Sequence, residues 1–507
     1  MRLAILGGAA VLAASASQVP FHVYPEAWDL NVAPSINATG HLVFDTVSSF
    51  LQHWPNTRYR NGHSLVPGTV PVGTLLYHGR GDSNPEHSYM FCRGSAAAGC
   101  WHLTLVAVRP LRVLYFDGSS AGKNEKRPHG FSGYKEQRSL DLCAWGKPLG
   151  IDGFLREIIL CDFTAGVEMV SMANLASAGW GIPGPGGPRR PPPGEPLDYT
   201  APAVAEVILS GSWHNRYPGD RRIKLDLTQL ISFYDTMLVP SLIPERFTDE
   251  RWEHRLLGIS PEDIAAVKRR LATFYTTPLT ASSGVDWDTL FKVIVDRYDT
   301  RLEVVQYLLS TPEAPLASAK KAMKQFRVML TPYILNSAVP AEQGNSWAAP
   351  VFAFCATSHT SHIRRNAFIS EKLTDSEHLL LHAVEETNRE ICRVVVSMWA
   401  EGVLAGLDDS LPPPHLPVHD EGPSEALVQK WKSAVEGLMS WLDWSVWIKC
   451  RPECGFEEIC YLPTWPFGRL KRPEGGEGRA GPPGRGFPMP DDPEILHPQP
   501  QCVRRFD

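Results

Sequence analysis

The sequence predicts an α+β protein, with an N-terminal, strand-rich mixed domain followed by a mainly helical, disulfide-stapled domain. Three observations carry that prediction. Short segments rich in β-branched and aromatic residues recur between residues 70 and 227, broken by Gly, Pro, Asp and Ser. Beyond about residue 236 the apolar residues recur at helical spacing instead. Ten cysteines, an even number, are spread over the chain, as a disulfide framework requires.

The elements follow in chain order. Residues 1–16 read as a secretory signal peptide: Arg2 supplies a positive start, residues 3–14 are apolar, and Ala14-Ser15-Ala16 is a small-residue cleavage pattern. That apolar run is too short to cross a bilayer. The mature chain is therefore expected to be secreted, and Asn37-Ala38-Thr39 is a glycosylation sequon near its new N-terminus. Residues 17–235 form the predicted α+β domain, with a short helix at 43–53 and strands at 70–77, 101–108 and 111–116. A helix at 139–149 and strands at 154–160, 167–172, 203–213 and 222–227 complete it. Residues 179–196, rich in Gly, Pro and Arg, read as a flexible insertion within that domain.

Residues 236–467 form the predicted helical domain. Ser260-Pro261-Glu262-Asp263 places an N-cap, a first-turn proline and two acids at the start of a helix over 260–273. Helices at 286–309 and 317–330 follow. Thr374 and Glu377 form a capping box for a helix over 375–404, whose stripe includes Leu380, Ala383, Val384, Ile391, Val394, Val395 and Met398. A last helix covers 424–442, and residues 468–507 read as a disordered tail.

Cys92 with Cys100, Cys143 with Cys161, and Cys355 with Cys392 would each close a modest loop. For Cys450, Cys454 and Cys460 the alternative is zinc, but the gaps of three and five residues, without a Cys-x-x-Cys or His pair, favour disulfides. No metal site is expected. Net charge of -6 and a pI near 6.3 argue against a nucleic-acid binder, which needs a basic face. No later segment has about 18 uninterrupted apolar residues, so no membrane span is expected. Partners are not legible, beyond a cell-wall or other extracellular one.

Several motifs could carry chemistry. His378, His382 and Glu386 are spaced four apart and could form a metal-ligand ladder, but Leu379 stands where the zincin pattern needs Glu, so they read as a solvated stripe. Gly118-Ser119-Ser120-Ala121-Gly122 matches a nucleophile elbow formally, yet no apolar helix follows it, so it reads as a turn. Arg80-Gly81-Asp82 is a chance-level tripeptide. Asp408, Asp409, Asp420 and Glu421 offer carboxylates for glycoside hydrolysis, but sequence cannot set two of them face to face. Trp441, Trp444 and Trp447 could stack on sugars if exposed; with Leu442 and Ile448 between them they read as core.

Gly73-Thr74-Leu75-Leu76-Tyr77-His78-Gly79, a strand ending in Tyr-His-Gly, resembles the NAD-binding motif of ADP-ribosyltransferases of the His-Tyr-Glu type. The resemblance implies NAD as cofactor, with His78 bonded to the ribose and Gly79 allowing close approach of the dinucleotide. It makes Tyr89 the family's tyrosine. Glu168, with Glu157 second, would be the acid that stabilises the oxocarbenium-like transition state. Over a longer stretch, the chain resembles an uncharacterised family of secreted proteins of filamentous fungi. The residues behind this are Leu65-Val66-Pro67-Gly68-Thr69-Val70, Pro85-Glu86-His87-Ser88-Tyr89, Arg112-Val113-Leu114-Tyr115-Phe116, Glu385-Glu386-Thr387-Asn388-Arg389 and Trp441-Leu442-Asp443-Trp444. That resemblance implies export and no particular reaction. The reading is therefore a surface or extracellular structural or interaction protein, with an NAD-dependent transferase or glycohydrolase as the alternative.

Overall fold

A computed structural model describes residues 28–51, 63–77, 100–116, 140–155, 159–175 without 163, and 223–276 without 249, 250, 252, 253, 255 and 257. It further describes 282–408 without 341–343, 421–461 and 499–504. The expected signal peptide, the insertion at 179–196, the strand at 203–213 and the turn at Ser120 lie outside the described residues. The described chain is α+β, strand-rich first and then mainly helical, as the sequence predicts.

The chain divides into two compact units whose segments interleave. One comprises residues 1–35, 300–361 and 388–438; the other comprises 36–299, 362–387 and 439–507. This division differs from a single boundary at residue 235. Four of its five boundaries fall inside helical segments (Trp287–Ser310, Ser361–Arg365, Asp375–Leu404 and Glu421–Leu442), so no break in helical periodicity marks them in the sequence.

The second unit holds the sheets. Helix α1 (Gly40–Leu51) precedes β1 (Ser64–Val70), β2 (Leu75–Tyr77), β3 (Cys100–Ala107) and β4 (Leu111–Phe116). After a helical stretch at 140–146 come β5 (Gly153–Leu155), β6 (Ile159–Leu160), β7 (Val167–Leu175), β8 (Lys224–Leu225) and β9 (Ile231–Ser232). The larger sheet runs β6-β5-β4-β1-β8, with β9 also on β1; only β4 and β5 pair in parallel. A second sheet runs β2-β3-β7, antiparallel throughout.

Alternation along β4 explains the layering. Leu114 faces Leu65, Ile151, Phe154 and Ile231, and Val267 and Leu271 of the helix Pro261–Thr276 cover that side. Leu111 and Val113 face the other way, onto Leu76, Leu105 and Val167 of the second sheet. The larger sheet is thus covered by a helix on one face and by a sheet on the other. Cys143–Cys161 staples the helical stretch to the residue after β6.

Helices α2 (Ile243–Thr248) and α3 (Pro261–Thr276) follow. Ser260 caps α3, its Oγ accepting from the Asp263 N–H at 3.1 Å. Beyond these lie α4 (Trp287–Ser310), α5 (Pro315–Leu330), α6 (Ala349–Thr357), short turns at Ser361–Arg365 and Ala367–Ser370, α7 (Asp375–Leu404) and α8 (Glu421–Leu442). The capping box of α7 is formed: Thr374 N–H donates to Glu377 at 2.9 Å and Glu377 N–H to Thr374 Oγ1 at 3.1 Å. The first unit has its own aromatic core, with Phe326 edge-on to Trp431 at 5.0 Å and Trp347 against Trp399 at 5.2 Å. Cys355–Cys392 ties α6 to α7 within it.

Strands β10 (Glu458–Tyr461) and β11 (Gln501–Arg504) close the chain as a two-stranded sheet. Residues 501–504 belonged to the expected disordered tail; pairing with β10 and the Cys454–Cys502 bond order them. Among the described residues no helix is long and apolar enough to cross a membrane.

Candidate functional site

A network of charged and polar side chains lies buried in the sheet-bearing unit. It begins on α1, where Asp45 interrupts the apolar run Leu42-Val43-Phe44 and is 2% exposed. A carboxylate there must be paired or hydrogen-bonded, since isolated burial of charge is prohibitive. Arg251 supplies the partner, donating from Nη2 to Asp45 Oδ2, and its Nη1 lies 3.6 Å from Asp443 Oδ2. Asp443 takes a left-handed backbone (φ 45°) immediately after α8, which aims its carboxylate back at the arginine. Ser445 adds a backbone N–H to Asp45, and its hydroxyl meets Ser49, one turn beyond Asp45 on α1, at 2.9 Å.

The network continues through Tyr234, after β9. Arg251 also donates to the Tyr234 hydroxyl, so the tyrosine proton is free to be donated to His254 Nδ1, 3.2 Å away. His63, just before β1, stacks on the Tyr234 ring (centroids 4.5 Å, 19° between planes) while the Arg246 guanidinium carbon sits 5.0 Å from that ring's centre. His63 Nε2 lies 2.9 Å from the His254 carbonyl oxygen, which can only accept, so Nε2 carries the proton.

Burial governs the ionisation here. It pushes the His63 imidazole well below its ordinary value, reinforced by the Arg246 and Arg251 charges. It raises Tyr234, against the opposing pull of the same two arginines. It raises Asp45 as well, while Arg251 pulls the other way. Chemically the arrangement joins the neutral His63 imidazole, the His254 ring, a neutral phenol and arginine–carboxylate pairs by internal hydrogen bonds. The groups with acid or base chemistry are thus hydrogen-bonded to one another inside the unit.

A second node lies further along α1. Glu386 of α7 caps this helix, accepting the His41 N–H at 3.2 Å, and a Cβ on Gly40 would stand 2.8 Å from its carboxyl. The His41 ring stacks on Trp441 at 4.2 Å, and burial lowers its pKa. His378 and His382 are exposed, so the solvated-stripe reading describes them; Glu386 instead serves a helix 345 residues away in sequence. Trp444 is buried against Phe44 and Trp447, and Trp441 and Trp447 are half-buried, which fits the core reading.

His78, Gly79, Tyr89 and Glu157 lie outside the described residues. Glu168 is exposed on β7. The register aligns it with Val106 of β3 and Leu75 of β2, while Tyr77, which leads into His78, aligns through Thr104 with Ser171. Asn37 is exposed in the turn before α1. Asp408 is buried and paired with Arg327, with Trp399 Nε1 at 3.3 Å, so it is a structural carboxylate; Asp409 and Asp420 lie outside the described residues. Sequence reasoning missed His63, Tyr234, Arg246, Arg251 and His254. Only Asp45, a charge inside an apolar stripe, carried a local signal.

Known proteins give a consistent picture. A family model described as the YPL277C N-terminal domain matches residues 134–184. The chain is 22% identical to the uncharacterized protein YOR389W of Saccharomyces cerevisiae, over 86% of this chain and 84% of that protein. It is 24% identical to the uncharacterized protein YPL277C of the same yeast, over 53% of this chain and 75% of that protein. No solved structure matches.

Proposed function

We propose that this chain is exported and serves outside the cell, or at its surface, as a structural or interaction protein. The observation that carries the reading is the cysteine chemistry. Among the described residues four disulfides close and no cysteine is free. Such a set persists in oxidising compartments and is reduced in the cytosol. The sequon at Asn37 is exposed, as a glycan requires. For contact with a partner, the second sheet offers an apolar surface: the face that buries Leu105 continues outward through Met169, Met172 and Trp101, all exposed. The test is expression of the full chain in a secreting eukaryotic host. The reading expects glycosidase-sensitive protein in the medium, shifted in mass by Asn37→Gln; retention of unglycosylated protein inside the cell would remove it.

A second reading, an NAD-dependent ADP-ribosyltransferase or glycohydrolase, is favoured by one observation. The strand that leads into His78-Gly79 shares a three-stranded sheet with Glu168, and Leu75, Val106 and Glu168 stand opposite one another on a single face. Nicotinamide release from NAD by the purified chain, lost in both His78→Ala and Glu168→Gln, is the outcome this reading requires. No release from the unmodified chain would dispose of it.

A further inference from the structure

We propose that Cys450, Cys454, Cys460 and Cys502 form a zinc site whenever the chain is reduced. Oxidised, the four close two bonds, Cys450–Cys460 and Cys454–Cys502. These bonds lie side by side: the sulfurs of Cys450, Cys454 and Cys460 all fall within 4.8 Å of one another. Cys454 is central, close to both sulfurs of the neighbouring bond and joined to Cys502. In a tetrahedral zinc–thiolate centre with bonds of about 2.3 Å, the sulfurs stand roughly 3.8 Å apart. Three of the four sulfurs thus start within 4.8 Å of one another, and Cys502, released from Cys454, has to swing toward Cys450 and Cys460 to complete the set.

Three features of the site suit a metal beyond what a pair of staples needs. The three-residue gap between Cys450 and Cys454, which without a second such pair does not point to zinc from sequence, still falls within the two-to-four spacing that zinc ligands use once Cys460 and Cys502 are brought alongside. The Cys450 backbone N–H donates to Cys460 Sγ at 2.9 Å, a contact that stabilises a thiolate. The other two cysteines sit on paired strands, Cys460 directly opposite Cys502 in the β10–β11 register, so one hairpin-like platform presents both. Glu458 fixes the intervening turn, accepting the Gly455 N–H at 2.9 Å, and its carboxyl also lies within 4.8 Å of Cys454 and Cys502.

The chemistry balances with a dithiol as reductant. Each disulfide takes up two electrons and two protons, leaving two thiols, while the dithiol is oxidised to its own disulfide. Zinc binding then displaces the thiol protons, so affinity rises with pH. The inference is independent of the export reading, because it concerns the chain before oxidation or in a reducing compartment.

The test is metal titration of the full chain, reduced with excess dithiol, freed of it under anaerobic conditions, and titrated with Co2+. The expected result is one Co2+ per chain, with tetrahedral d–d bands and thiolate-to-metal charge transfer, displaced by stoichiometric Zn2+. Cys454→Ser should abolish the charge-transfer band, while the double variant Cys143→Ser/Cys161→Ser should retain it. No uptake, or uptake that Cys454→Ser leaves unchanged, overturns the proposal.

Discussion

Acidification should destabilise the fold through His63, by an amount that can be worked out. Its imidazole is buried, faces the Arg246 and Arg251 charges, and has a pKa held well below 6.5. In the unfolded chain it titrates near its ordinary value. Below that value the unfolded chain binds more protons than the folded one, so stability is present above about pH 6.5 and falls as the pH drops. Between about pH 7.5 and 5.5 one such histidine removes about 1.4 kcal/mol, provided it stays neutral in the folded state. His63→Gln keeps a donor for the His254 carbonyl and abolishes the titration. The variant should be less stable at both pH values, because the stacking on Tyr234 is lost. Its loss between the two should nonetheless be smaller than the parent's by about 1.4 kcal/mol. Urea midpoints at unchanged slope provide the readout. His41, also lowered by burial, contributes to both proteins alike and cancels. Equal pH losses for parent and variant would refute the reasoning.

Two further outcomes follow from the packing. Glu377 is fully buried and serves the Thr374 N–H, the Trp287 indole N–H at 3.0 Å and the Ser283 hydroxyl, so Glu377→Ala removes a cap and strands a buried donor. It should cost about 3–4 kcal/mol in chemical denaturation, with Glu377→Gln recovering at least half; equal losses would contradict the hydrogen-bond account. Cys355→Ala with Cys392→Ala opens a loop of 37 residues, which chain entropy values at about 4 kcal/mol, measurable as a lowered denaturation midpoint.

Much of the fold was legible because its signals are local. The cap at Ser260, the box at Thr374 and Glu377, and the apolar stripes placed α3 and α7 to within a few residues. The start of β1 was not. Pro67 and Gly68 interrupt it, and proline in a central strand normally argues against one. Here Pro67 accepts the Asp226 N–H at 2.8 Å, and close approach of Ile223 and Leu225 needs Gly68. The interleaved units and the buried polar network were invisible for another reason. Asp45, His63, Tyr234, Arg251 and Asp443 come from five separate segments, and their meaning arises only when tertiary packing removes water from all of them together. The same holds for Glu386, whose helical spacing to His382 suggested a ligand ladder, while its engagement with α1 is long-range.

Export into an oxidising compartment is the central claim, and the most direct measurement is intact mass with thiol counting on the chain recovered from its native host. The account predicts extracellular protein beginning at Ser17, glycosylated at Asn37 and without free thiol at Cys143, Cys161, Cys355, Cys392, Cys450, Cys454, Cys460 or Cys502. An intracellular chain that retains residues 1–16 and carries reduced cysteines would contradict it.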